Sequence, residues 1–128
     1  MLGGLGTIHG VRCVTLPGNP RPKARPRFTR TGKPYVLSEE RKAETRIRGI
    51  LKESGIRCSS GPLLVACLFI RSDRRLVDAD NLEKFAWDAA QGVLWANDHQ
   101  IIGHAALIGY SSTRPRTVVA LVDADRKG

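Results

Sequence analysis

The sequence predicts an α+β fold: a single domain with a mixed sheet of about four strands and two helices packed on it. Three observations point there. The chain has 128 residues, enough for one modest core and too few for two ordinary domains. Its hydrophobic fraction of 41% is that of a globular protein and not of a wholly disordered basic tail. Its apolar patterns follow the order strand, loop, helix, strand, helix, strand, strand.

Val11 to Leu16 reads as a short strand, ended by Pro17-Gly18-Asn19-Pro20. Residues 17 to 34 carry five prolines (17, 20, 22, 26 and 34), which remove backbone donors and fix φ, so a loop is expected there. A polar helix follows from an N-cap at Ser38 to about Ser54, with Ala43, Ile47, Ile50 and Leu51 as its apolar stripe and Gly55 as its stop. After Gly61-Pro62, the run Leu63 to Ile70 is apolar without alternation, as expected of a central strand covered on both faces. Arg71 to Arg75 is a basic connector. A second helix is expected from about Asp80 to Val93, with Leu82, Phe85, Ala86, Ala89 and Val93 on one side and Gly92 weakening its last turn. Residues 100 to 110 and 116 to 122 read as two strands joined by a hairpin-length connection. Residues 1–10 read as a flexible N-terminus, 11–123 as the domain and 124–128 as a tail.

No window approaches the roughly 18 apolar residues of a membrane-spanning helix, and the first residues lack the pattern of a secretory signal. Cys13, Cys58 and Cys67 form no close pair, which fits reduced thiols and a cytoplasmic location.

The net charge of +9 is unevenly spread. Residues 1 to 38 hold seven basic residues and no acid: Arg12, Arg21, Lys23, Arg25, Arg27, Arg30 and Lys33. Residues 73 to 98 hold six of the twelve acids: Asp73, Asp78, Asp80, Glu83, Asp88 and Asp98. A polyanion is drawn to the first segment and repelled by the second unless cations intervene. That is the layout of a metal-dependent enzyme acting on nucleic acid.

Asp78, Asp80 and Lys84 carry the candidate chemistry. On a helix starting near Asp80, Lys84 projects from the same side one turn later. Asp98 arrives just before the next strand, where the chain could return it beside Asp78 and Asp80. Three converging carboxylates need a cation, and hard ions such as Mg²⁺ accept these ligands while keeping sites for water and phosphate. The competing reading is structural: Asp80 with Glu83 fits a D-x-x-E capping pattern, and acids in a first turn complement the helix dipole.

The stretch Asp78-Ala79-Asp80-Asn81-Leu82-Glu83-Lys84, then Asp88-Ala89 and Asn97-Asp98-His99-Gln100-Ile101-Ile102, resembles the signature of the RusA family of Holliday-junction resolvases. Upstream, Pro22-Lys23-Ala24-Arg25-Pro26-Arg27 and Gly32-Lys33-Pro34-Tyr35 are similar to the proline-and-arginine segment of cellular and phage RusA-like proteins. The match spans residues 11 to 122. The resemblance implies a homodimeric, Mg²⁺-dependent endodeoxyribonuclease (Mn²⁺ as a substitute) that resolves four-way DNA junctions by paired symmetric nicks, in recombination and repair. It matches Asp78, Asp80 and Asp98 to the family's catalytic, metal-holding aspartates and Lys84 to its essential lysine. Asn97 stands where some members have another Asp. In this reading the aspartates hold one or two Mg²⁺ ions, the scissile phosphate is polarised and a water attacks in line. Lys84 orients that water or stabilises the developing oxyanion.

Arg21, Lys23, Arg25, Arg27, Arg30 and Lys33 are the expected phosphate grip, with a slope of log K against log[salt] near −5 if about six of them engage. Arg71, Arg74 and Arg75 stand ready to guide the strand. Trp87 and Trp95 read either as base-stacking residues or, more simply, as core or dimer contacts. Glu83 and Asp88 read as surface or capping residues; His99, beside Asp98, could assist the metal site but reads more simply as structural, since neither His9 nor His104 shows ligand spacing with it. Two rivals are a nuclease with looser preference for flaps or forks, and a non-catalytic nucleic-acid-binding protein whose aspartates are only caps. The intact set Asp78, Asp80, Lys84 and Asp98 speaks against the second.

Overall fold

The computed structural model describes residues 10–23, 27–28, 30–32, 34–35 and 38–124. In chain order, β1 is Val11–Pro17, β2 Arg27–Phe28, β3 Pro34–Tyr35, α1 Ser38–Glu53, β4 Leu63–Arg71, α2 Ala79–Ala90, β5 Ile101–Tyr110 and β6 Arg116–Asp123. One 3-10 turn, Asp98–Gln100, leads into β5. The main sheet has the order β1-β6-β4-β5, with β4 and β5 parallel and the other pairs antiparallel. Within the proline-rich segment, β2 and β3 pair as a minimal antiparallel ladder. The mixed four-stranded sheet with two helices is the expected fold.

A parallel pair cannot be closed by a tight turn, so the chain must cross over between β4 and β5, and α2 makes that crossing. Its formation is local. Asp78 has extended backbone (φ −79°, ψ 119°), and its side chain accepts the Asp80 N–H. Leu82, Phe85, Ala86 and Ala89 then recur at helical spacing and are all buried. The helix ends at Ala90, three residues short of the expected Val93. Gln91 turns extended at ψ 130°, and Gly92 takes φ +88°, a value that L side chains rarely adopt. The helix thus stops before Gly92, whose positive φ carries the chain into the turn that leads to Trp95.

The core lies between one sheet face and the helices. Leu51 of α1, Leu63, Val65, Cys67 and Phe69 of β4, Leu82 and Phe85 of α2, and Leu94, Trp95 and Leu121 are its main members. Leu82 is 1% exposed, and its truncation to Ala should cost about 2–5 kcal/mol.

The expectation that β4 is covered on both faces is corrected. Leu63, Val65, Cys67 and Phe69 face the helices, whereas Leu64 is 45% exposed and Ala66 is also open. The open face continues across the sheet. The register sets Val11, Val122, Leu64 and Gly103 in one row, Cys13, Ala120, Ala66 and Ala105 in the next, and Thr15, Val118, Leu68 and Leu107 in a third. None of these twelve residues is charged. An apolar run without alternation can mean two covered faces or one covered and one apolar but open, and sequence does not distinguish them.

No helix of the described residues is long and apolar enough to cross a membrane.

Candidate active site

Asp78 and Asp80 share the start of α2. Asp78 Oδ1 accepts the Asp80 backbone N–H at 2.9 Å, so Asp78 is the helix cap, not Asp80 as the D-x-x-E reading expected. Asp78, Asp80 and Lys84 are all exposed, with Lys84 one turn beyond Asp80. Two hard carboxylates open to solvent suit Mg²⁺, which takes one or two carboxylates and fills its remaining positions with water and phosphate. The helix N-terminus opposes a cation by about 0.3–1 kcal/mol, a small term beside the attraction of two carboxylates for a divalent ion.

Asp98 is elsewhere. Its Oδ1 accepts the Trp95 indole N–H at 2.7 Å. With its amide nitrogen turned inward, Gln91 donates to both Asp98 oxygens at 3.3 and 3.2 Å. Gln91 is the C-cap of α2, roughly 16 Å along the helix axis from Asp80 at 1.5 Å per residue. Gln100 also donates to the carbonyls of Ser59 and Gly61 at 2.9 Å each, anchoring this turn at the start of β4, whereas Asp78 follows that strand's far end. The expected convergence of three carboxylates within one chain therefore does not occur. Among the described residues no group of three or more His, Cys, Asp or Glu side chains is placed to hold a metal ion. The chain does return from α2 to a neighbouring strand, but it enters that strand at the opposite end.

Of the expected phosphate grip, Arg25 and Lys33 lie outside the described residues, and Arg27 is described only as backbone of β2. Arg30 is exposed and Arg21 half-buried. Lys23 is tied down: its Nζ lies 2.9 Å from Asp88 and 3.8 Å from both Glu40 and Glu44. Partial burial works against its charge, but the Asp88 hydrogen bond and the three carboxylates outweigh that and raise its pKa above the usual 10.5. Its backbone N–H also bonds to Asn81 O at 2.9 Å. Lys23 thus fastens the proline-rich segment to both helices, and Asp88, expected as a surface residue, is its main partner. Arg74 lies over the Tyr110 ring at 4.3 Å, and Arg75 is exposed beside it. Arg71 is buried at 9% exposure.

Glu83, expected on the surface, is buried at 5% and meets His104 Nδ1 at 2.9 Å. Trp87 packs edge-on against both Trp95 and His104, so both tryptophans are interior or half-buried contacts. His104 shares a strand face with inward-pointing Ala106, a parity that could have marked it as helix-facing. Arg46, Ser59 and Asp123 are further polar residues that no local spacing singles out. Arg12 and Asp123 meet at 2.8 Å although 111 positions apart.

A family model described as endodeoxyribonuclease RusA matches residues 17–122, most of the chain. An open carboxylate pair at the start of a crossover helix, on a basic domain, offers residue types that metal-assisted phosphodiester chemistry uses. The chain belongs to the RusA family of endodeoxyribonucleases, whose activity is resolution of Holliday junctions. A search of the curated proteins finds no match.

Proposed function

We propose that this protein is a Mg²⁺-dependent, homodimeric resolvase that cuts four-way DNA junctions by paired symmetric nicks. The observation that carries the proposal is the exposed Asp78–Asp80 pair with Lys84 one turn on, in a chain of the RusA family. Asp78 and Asp80 hold the ion, and bound Mg²⁺ (or Mn²⁺) supplies the electrophile that polarises the scissile phosphate. Lys84 places a cation one helical turn away, where it stabilises charge developing on the phosphoryl oxygens. Arg21, Arg74 and Arg75 stand around this end of the domain as phosphate contacts, with Arg25, Arg27, Arg30 and Lys33 assigned the same role from the sequence. Lys23, in our reading, holds the segment in place instead.

The dimer follows from symmetric nicking, which needs two sites related by a two-fold axis. The open sheet face supports it. Four strands about 4.8 Å apart with three uncharged rows along them give a footprint of about 400 Å². That is about half of the roughly 800 Å² each partner gives to a stable interface. For Asp98 to join Asp78 and Asp80, a two-fold partner must bring its Asp98 end to this protomer's Asp78–Asp80 end. We assign Asp98 its catalytic and metal-holding role in that setting, across the dimer.

Cleavage of an end-labelled immobile four-way junction, with duplex and flap substrates alongside, tests the function. Metal-dependent paired nicks confined to the junction are expected. Flap cutting at equal rate indicates the looser nuclease, and tight binding without cutting indicates the binding protein. The placement of Asp98 is tested by co-refolding Asp80→Asn with Asp98→Asn, each inactive alone. A shared site recovers about a quarter of the wild-type sites, seen as single nicks, in the half of the dimers that are mixed. A mixture as inactive as its parts shows that no site is shared.

A further inference from the structure

A cavity of about 280 Å³ opens beside the start of α2, roofed by residues 16–22 and floored by Phe69 of β4 and Phe85 of α2. Its polar lining is strongly one-sided: Arg21, Arg46 and Arg71 all face it, and no Asp or Glu does. Arg71 is the anomaly. It is 9% exposed, its Nη1 donates to Pro20 O at 2.9 Å, and its Nε has no partner. Among the described residues none of the three arginines forms an ion pair with a carboxylate. Buried cations are ordinarily paired, because desolvating an unpaired one is costly. Gly18 takes φ +101° in the roof, a conformation that L side chains rarely adopt.

The walls add a second selectivity. Much of the rest of the lining is apolar, with Pro17, Pro22 and Ala43 at least partly open, and the volume is near the lower end of small-ligand sites at ~300 Å³. An anion attached to a flat ring satisfies both halves of this lining. The roof is tied to the first turn of α2 by the Lys23 N–H to Asn81 O bond, three residues from Asp78.

We propose that this cavity binds one unstacked nucleotide of the DNA substrate, with its phosphate on Arg71, Arg46 and Arg21 and its base against Pro17, Pro22 and Ala43. The nucleotide's source rests on the junction-cutting reading, but its binding does not depend on metal or on Asp80. Nucleotides at a branch point are already partly unpaired, so extracting one costs less there than in duplex. The cavity would then contribute to junction selectivity as well as to grip.

The test is thermal unfolding of the full chain in metal-free buffer at matched ionic strength, with dCMP as probe. At ten times its Kd, dCMP should raise the wild-type Tm by about 5 °C. Deoxycytidine, which lacks the phosphate, should give no shift at the same concentration. Arg71→Met and Arg46→Gln should each lose most of the dCMP shift. Arg46 is exposed on α1, so its variant decides the matter if Arg71→Met does not fold. Asp80→Asn should keep the full shift while losing cleavage, which separates failure of this site from failure of the nuclease assignment. No dCMP shift in wild type, an equal shift in Arg46→Gln, or the same shift from inorganic phosphate alone would overturn the proposal.

Discussion

Trp95 donates its indole N–H to Asp98 Oδ1 at 2.7 Å, from a side chain that is wholly buried. A core residue therefore fixes the direction of a half-buried carboxylate at the end of the sheet where β4 and β5 begin. Trp95→Phe keeps the aromatic volume and deletes the donor. We expect kcat for junction cleavage to fall about 10-fold, the loss of roughly one charge-assisted hydrogen bond, with junction Kd changed less than about 2-fold. Single-turnover cleavage and a binding isotherm check this. An unchanged kcat would show that the orientation of Asp98 is immaterial.

Asp78 carries two roles that substitution can separate. Asn caps a helix as well as Asp does, whereas Ala does not. Asp78→Asn should keep the wild-type Tm, and Asp78→Ala should lose about 1 kcal/mol, or about 4 °C in a chain of this size. Both should lose metal-dependent cleavage. If Asp78→Asn cuts normally, the residue is a cap and nothing more.

Much of the fold was legible because its signals are local. The apolar spacing of Leu82, Phe85, Ala86 and Ala89 marks a helix, and Gly61-Pro62 marks the strand start at Leu63. Asp78, Asp80 and Lys84 were legible together because one helix turn relates them. What escaped depends on tertiary placement. Asp98 lies at the wrong end of α2 for the expected cluster, since a crossover returns the chain to the opposite end of the parallel strand. Lys23 reads as a phosphate contact in a basic run until Glu40, Glu44 and Asp88 surround it. Arg46 and Arg71 become partners only through a cavity bounded by five elements.

The ends of β1 and β6 carry an acid-sensitive clasp. Slight burial pushes the Asp123 carboxyl up. Hydrogen bonds from Ser59 and Arg57, with the Arg12 and Arg57 charges, outweigh this and hold its pKa below the usual 3.8. A carboxyl depressed in the folded state contributes stability above its unfolded pKa and loses it as pH falls through the folded one. Asp123→Asn should therefore lower Tm at pH 7, and the gap to wild type should close below about pH 3.8. Thermal scans from pH 7 to pH 2.5 check the sign. A gap that widens in acid would contradict it.

The three thiols report on the open sheet face. Cys58 is exposed, and Cys67 is buried among core residues, where desolvation first and the nearby Glu83 charge second push its thiol to about 12. Cys13 is exposed in the single chain and lies in the central apolar row with Ala120, Ala66 and Ala105. At micromolar concentration, a thiol reagent should label Cys58 quickly, Cys13 slowly and Cys67 only on unfolding. Leu107→Arg, on the 65% exposed Leu107 of that face, should yield monomers and make Cys13 as reactive as Cys58. Fast Cys13 labelling in wild type would place the dimer contact elsewhere.

The most direct measurement is cleavage of a four-way junction by wild type and Asp80→Asn in parallel, with and without Mg²⁺, alongside their junction affinities. The expected result is paired nicks by wild type only with Mg²⁺, none by Asp80→Asn under any condition, and equal binding by both. Cleavage by Asp80→Asn at the wild-type rate, or cutting by wild type that persists after exhaustive chelation, would contradict a metal site built on Asp78 and Asp80.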